Sequence, residues 1–217
     1  MNVLSSLNPA TGDVLGEELV THTDKIQDSV DRARVAQPGW SALGLQGRAY
    51  ILRQAAHIFS EREQAHARLM TQEQGKPLKE SRAEAHGLGA RLEDEITEIV
   101  DALQPDIMEH GGNRSTIYHD PLGVVGAITP WNFPMSMPNW MVLPSLMAGN
   151  TVVLKPSEET PLCGQAYADV LNEVLPEDVL IVVHGADAQG KALVHSDVDM
   201  IAFTGSREVG KLSLIHI

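Results

Sequence analysis

Four short apolar runs set the terms for how this chain can fold. They are Val124-Val125-Gly126-Ala127-Ile128, Thr151-Val152-Val153-Leu154-Lys155, Val179 to Val183, and Met200-Ile201-Ala202-Phe203-Thr204. Helix-compatible stretches lie between them, roughly Trp140 to Ala148, Pro161 to Leu175, and Ala188 to His195. Strands alternating with helices predict an α/β fold, a parallel sheet with helices on both faces. In such sheets ligands bind beyond the carboxyl ends of the strands. The residues just after each run are therefore where chemistry is to be sought.

The first 120 residues carry another rhythm and precede the sheet as a mainly helical segment. Asn8-Pro9-Ala10-Thr11-Gly12-Asp13 is turn-rich and separates Val3-Leu4 from Val14-Leu15, which predicts an extended arm or hairpin. Thr23 or Asp24 can cap a helix with Ile26, Val30 and Ala33 on one face. Gln46 to Met70 places Ile51, Leu52, Ala55, Ile58 and Phe59 at helical spacing, and Gly75-Lys76-Pro77 breaks the pattern. Lys79 to Leu103 reads as one further helix, weakened by Gly87 and Gly89. Arg114 to His119 reads as a strand ended by Asp120-Pro121.

Composition excludes several classes of function. With 217 residues the chain can bury a core without staples, and 43% hydrophobic with 21% charged residues is a globular balance. A net charge of −13 repels nucleic acid and anionic membranes, so neither is expected as a partner. No apolar run is long enough to span a bilayer, and the first residues lack the pattern of a secretory signal. A single cysteine, Cys163, fits a reducing compartment, so a cytoplasmic location is expected.

After the first run stands Thr129-Pro130-Trp131-Asn132-Phe133-Pro134, stiffened by two prolines. Such a loop can hold an amide donor towards a developing oxyanion, or it can be a rigid turn that packs two aromatic rings on the core. After the second run stands Lys155-Pro156-Ser157-Glu158-Glu159-Thr160-Pro161. A lysine beside an acid can hydrogen-bond a sugar diol and disfavour a 2′-phosphate. Alternatively the acids serve the dipole of the helix that Thr160-Pro161 opens, which accounts for Glu159 but not for Lys155. His184-Gly185-Ala186-Asp187 allows a tight turn after the third run. Gly205-Ser206-Arg207 follows the fourth, either as a phosphate-binding helix start or as an ordinary serine-capped helix. No Gly-x-Gly-x-x-Gly follows a strand, no Walker-type loop is present, and the nine histidines lack ligand spacing, so no metal site is expected. Cys163 falls near a helix start, which can lower a thiol pKa; the plainer reading is a small residue packed on the sheet.

In order and spacing, Pro130-Trp131-Asn132-Phe133-Pro134, Met147-Ala148-Gly149-Asn150-Thr151, Lys155-Pro156-Ser157-Glu158 and Phe203-Thr204-Gly205-Ser206 resemble the aldehyde dehydrogenase superfamily. Glu73-Gln74-Gly75-Lys76-Pro77 and Asn8-Pro9-Ala10-Thr11-Gly12 share the resemblance, which runs from about residue 3 to 211. It implies an N-terminal arm, helices and an assembly strand over 1–120. It implies nicotinamide-cofactor-binding βα units over 121–211, in a Rossmann-like variant without the glycine fingerprint. Asn132 resembles the family's oxyanion-hole amide. Ile128, Thr129, Pro130 and Trp131 resemble the wall beside the cofactor. Lys155, Ser157 and Glu158 resemble the segment that holds the adenosine ribose, and Gly185 a glycine beside the adenine. Phe203, Thr204, Gly205, Ser206 and Val209 resemble the turn and helix start at the pyrophosphate. The implied reaction oxidises an aldehyde to a carboxylic acid with NAD, or with NADP, in a homo-oligomer.

Three departures stand beside this likeness. Arg207 occupies the place of a usual threonine, and the loop at Gly185 lacks a second glycine. The family's glutamate base and cysteine nucleophile, borne on a separate domain, match no residue here. Residues 212–217 do not resemble the family and suggest a truncated reading frame. The chain alone is expected to be inactive. The alternative is a non-catalytic binding or oligomerisation module.

Overall fold

The computed structural model describes residues 2–205, 210 and 211. The turn at Asn8 to Asp13 joins β1 (Val3–Leu7) to β2 (Val14–Leu19) as an antiparallel hairpin. Helix α1 (Lys25–Ala42) follows, and its buried residues include the expected Ile26, Val30 and Ala33. Asp24 stands at the cap position, but its carboxylate meets the His22 ring instead of the helix N–H groups. Helix α2 (Gly44–Gln74) runs 31 residues and stops at Gly75, whose φ of 78° is left-handed and suits glycine at a helix end.

The single helix expected over Lys79 to Leu103 is two: α3 (Leu78–Ala90) and α4 (Leu92–Ala102), broken at Arg91. Gly89 is not the break. A Cβ there would stand 2.4 Å from Ser60 Oγ, so this glycine is where α3 closes on α2. An exposed hairpin follows, β3 (Asp106–His110) paired with β4 (Asn113–Ile117). Only its second strand is signalled by the sequence, because β3 carries no apolar periodicity.

The remaining chain alternates as expected: β5 (Val124–Ile128), α5 (Ser136–Met147), β6 (Thr151–Lys155), α6 (Pro161–Asn172), β7 (Leu180–Val182), α7 (Asp187–Val194) and β8 (Met200–Phe203). The four strands are parallel in the order β7-β6-β5-β8. Every residue of β5 and β6 is buried, as central strands of a covered sheet require. Successive side chains go to opposite faces. Val125, Ala127, Val152 and Leu154 join one core cluster with Phe59, Leu143 and Tyr167 of α2, α5 and α6. Val124, Ile128 and Val153 join a second with Ile26 and Val30 of α1 and Leu193 of α7. The chain steps outward from β5 through β6 to β7, then returns to place β8 on the other side of β5. That reversal opens a crevice at the carboxyl ends of β5, β6 and β8.

Helix α5 is fixed at both ends by charged side chains from the N-terminal helices. Glu84 of α3 accepts the Met135 and Ser136 N–H groups at 3.2 and 3.0 Å. Arg48 of α2 donates from Nε to Met147 O at 3.0 Å, and Trp40 of α1 donates to Leu146 O at 2.9 Å. A carboxylate at the start and a guanidinium at the end both oppose the helix dipole.

Candidate functional site

The strand ends are tied together before they diverge. Thr129 N–H donates to Lys155 O at 3.2 Å, and Thr204 N–H donates to Ile128 O at 3.3 Å. The crevice beyond them is a cleft of about 290 Å³. It gathers ten of the sequence-selected residues: Ile128, Thr129, Pro130 and Trp131 after β5, Lys155, Ser157 and Glu158 after β6, and Phe203, Thr204 and Gly205 after β8. Ser206 and Val209 lie outside the described residues.

Lys155 is buried, with its stem against the bare Cα of Gly190, where a Cβ would stand 3.6 Å from Cε. Its Nζ donates to Pro156 O at 2.8 Å and to Glu158 Oε2 at 3.3 Å. Burial lowers the Lys155 pKa, and the Glu158 carboxylate opposes that shift. Glu158 is partly open to solvent, with 40% of its side chain exposed. Thr129 Oγ1 is buried with no hydrogen-bond partner in the structure.

Gly185 does not line the cleft; Ala186 and Asp187 do. Its φ is 151°, and a Cβ would fall 2.3 Å from the Gln189 side chain, which accepts the Ala186 N–H at 3.1 Å. The glycine shapes the turn, which accounts for it without any ligand. The sequence reading missed the α7 contribution. Asp187, Gly190, Lys191 and Val194 line the cleft at one-turn spacing, the available signal for a helix face. Among the described residues no three His, Cys, Asp or Glu side chains cluster to hold a metal ion.

Asn132 stands outside this cleft, on the loop's exposed side. Its backbone carbonyl accepts Gln74 Nε2 at 3.0 Å and Lys76 Nζ at 2.8 Å. The flanking rings are not packed into the core, since Trp131 is 53% and Phe133 42% exposed. That rules out the plain rigid-turn reading. Trp131 lines the sheet-end cleft, whereas Phe133 lines a second cleft of about 430 Å³ between α3, α4 and α5. Asn132 itself lines neither cleft, and its two chain neighbours face different ones.

The plainer reading of Cys163 holds, and the acid expected at the α6 start is corrected. Cys163 is fully buried in α6, and burial pushes its thiol pKa well up, so the helix start does not activate it. The acid serving the α6 start is not Glu159. It is Glu73 of α2, whose carboxylate accepts Leu162 N–H at 2.9 Å, Cys163 N–H at 2.8 Å and Ser6 Oγ–H at 2.8 Å.

A model of the aldehyde dehydrogenase family matches residues 2–214. An N-succinylglutamate 5-semialdehyde dehydrogenase of Caulobacter sp. (strain K31) is 33% identical over 213 residues, covering 98% of this chain and 44% of that protein. The crystal structure of an NADP dependent enzyme of E. coli superposes with a TM-score of 0.91 at 36% identity, over 99% of this chain and 46% of that one. That of an NAD-dependent benzaldehyde dehydrogenase from Corynebacterium glutamicum gives a TM-score of 0.88 at 28% identity, over 98% and 47%. The chain thus spans a little under half the length of the relatives it matches. With the family model matched over residues 2–214, the chain belongs to the aldehyde dehydrogenase family.

Proposed function

We propose that these residues are the cofactor-binding part of an enzyme that oxidises an aldehyde to a carboxylic acid with NAD(P), with NAD preferred. The observation that carries the reading is the buried Lys155 beside Glu158 in the cleft at the strand ends. The Glu158 carboxylate accepts hydrogen bonds from a ribose diol and repels a 2′-phosphate, while Lys155 donates to the diol and partly offsets the repulsion. Trp131 and Phe203 supply apolar wall. The relatives include one described as NADP dependent and one as NAD-dependent, so the family accommodates both. When bound, the nicotinamide supplies the hydride acceptor.

Asn132, in the chain between Trp131 of one cleft and Phe133 of the other, is the residue we assign to donate from its side-chain amide to the oxyanion of an aldehyde held in the α3–α4–α5 cleft. No nucleophile is at hand in these residues. Cys163 is buried with a raised pKa, and a thiol, not a thiolate, does not attack. Aldehyde oxidation therefore requires groups beyond these 217 residues, and the chain alone is expected to make no NADH from an aldehyde panel. The β3–β4 hairpin, with all ten residues exposed and Ile107, Met108 and Ile117 among them, is the surface for homo-oligomer assembly. A cytoplasmic setting suits one free buried thiol.

The test is titration of the chain with NAD and NADP by tryptophan quenching, alongside Glu158→Gln. Loss of a charge-assisted hydrogen bond costs about 1.5–3 kcal/mol, roughly 10- to 150-fold in affinity. NAD is expected to bind more tightly, and the substitution to narrow the gap. Equal binding of the two, or an unchanged ratio in the variant, refutes the ribose assignment.

A further inference from the structure

The geometry points to Lys76 as the positioning residue of the Trp131–Asn132–Phe133 loop. This rests on the reading that the loop stands between the cofactor and the aldehyde, and it adds the group that holds it there. Lys76 follows α2 directly, and its side chain is only 8% exposed. Its Nζ donates to Asn132 O at 2.8 Å and to Glu84 Oε2 at 2.6 Å, and lies 4.2 Å from the centre of the Phe133 ring. The other Glu84 oxygen accepts the Met135 and Ser136 N–H groups that open α5. One ammonium therefore joins the loop's carbonyl, its following ring and the carboxylate that anchors its far end.

Gln74 Nε2 fills the second lone pair of the same carbonyl at 3.0 Å. With both lone pairs engaged from the α2–α3 connection, the Asn132 peptide cannot rotate without breaking two bonds, one of them charge-assisted. Its side-chain amide is left out of this network, on the exposed side of the loop. Neither proline supplies such a tie, because each restricts its own φ and its predecessor but leaves the Asn132 peptide plane unset.

The test uses the 217-residue chain labelled with 5-fluorotryptophan. Its three tryptophans, Trp40, Trp131 and Trp140, give separate fluorine resonances assigned by Trp→Phe substitution. Trp40 is buried and bonded to Leu146 O, so it reports the fold, while Trp131 reports the loop. The variants are Lys76→Met, and Lys76→Met with Glu84→Gln, which leaves no unpaired buried charge. The native Trp40 resonance is expected to persist in at least the double variant while that of Trp131 shifts or broadens. The NADH dissociation constant is expected to rise about tenfold, as the ordered loop becomes a minority state. A Trp131 resonance unchanged in a folded variant overturns the proposal. Loss of the Trp40 resonance in both variants also overturns it, because Lys76 then serves folding and not the loop. If the unsubstituted chain binds no NADH, the cofactor assignment fails, and the fluorine spectra still decide the lysine.

Discussion

Removing the Glu73 carboxylate isolates the contact that joins the N-terminal arm, α2 and the sheet. Glu73 is 4% exposed and accepts three hydrogen bonds, from Ser6 Oγ and from the N–H groups of Leu162 and Cys163. The last two are orphan donors of the first turn of α6, part-buried at Leu162 and buried at Cys163. Hydrogen bonds to a charged acceptor contribute about 1.5–3 kcal/mol each, and a buried donor left unpaired costs about 1–3 kcal/mol. The three bonds share one acceptor and do not add fully, so Glu73→Ala is expected to destabilise by about 3–5 kcal/mol. That is a large part of the roughly 5–15 kcal/mol that holds a domain together. Glu73→Gln keeps one acceptor oxygen and is expected to cost about half as much. Glu159→Gln is the control, because Glu159 is exposed and bonds none of the α6 N–H groups. It should move stability by no more than about 0.5 kcal/mol. Urea unfolding followed by far-ultraviolet circular dichroism measures all three. A cost below about 1 kcal/mol for Glu73→Ala, or equal costs at positions 73 and 159, refutes the cap.

Burial holds the His66 and His184 imidazoles down to about 4, helped by Arg62 and Lys155 respectively. Since their usual value is 6.5, the unfolded chain binds more protons between pH 6.5 and 4. Stability is then complete above pH 6.5 and falls with acid, by about 2 kcal/mol per histidine on going from pH 7 to 5. His66→Leu should remove its share of that slope, and urea midpoints that ignore pH in this window refute the point. Cys163, fully buried, should resist a thiol reagent such as dithionitrobenzoate in the native state and react at once in urea. Rapid labelling without denaturant contradicts its burial. Gly185→Ala should destabilise by more than about 1 kcal/mol, because φ is 151° there and the Gln189 side chain fills the space.

The parts of this architecture that are local in sequence are legible from it. A short, largely β-branched run such as Val124 to Ile128, bounded by turn residues, favours a buried strand, and the strands fall where expected. Residues placed just after those strands gather in one cleft, because a parallel sheet sends all its carboxyl ends to one side. What fails is whatever depends on a distant partner. Glu159 looks like the acid for α6 because it is near in sequence, yet Glu73, 89 residues from Leu162, takes that place. Glu84 reaches Met135 across 51 residues in the same way. Gly89 reads as a weak point in a helix until Ser60 of α2 is brought against it. From the residues alone the loop aromatics read first as core packing, and only their exposure, 53% at Trp131 and 42% at Phe133, removes them from it.

These long-range carboxylates also decide where an anionic ligand can sit. In a parallel α/β sheet the helices that follow the strands begin beside the ligand crevice, and their free N–H groups attract phosphate. Here two of those starts are already taken, α5 by Glu84 and α6 by Glu73. The start of α7 carries Asp187, whose charge is shared with Lys191 at 2.5 Å. On the proposed reading, Lys155 with Glu158 at the β6 end suits an uncharged diol better than a phosphate. Among the described strand ends, those of β5 and β8 bring no carboxylate into the cleft, whereas those of β6 and β7 bring Glu158 and Asp187. On the proposed reading, the dinucleotide's ribose belongs with β6 and its pyrophosphate with the β8 end.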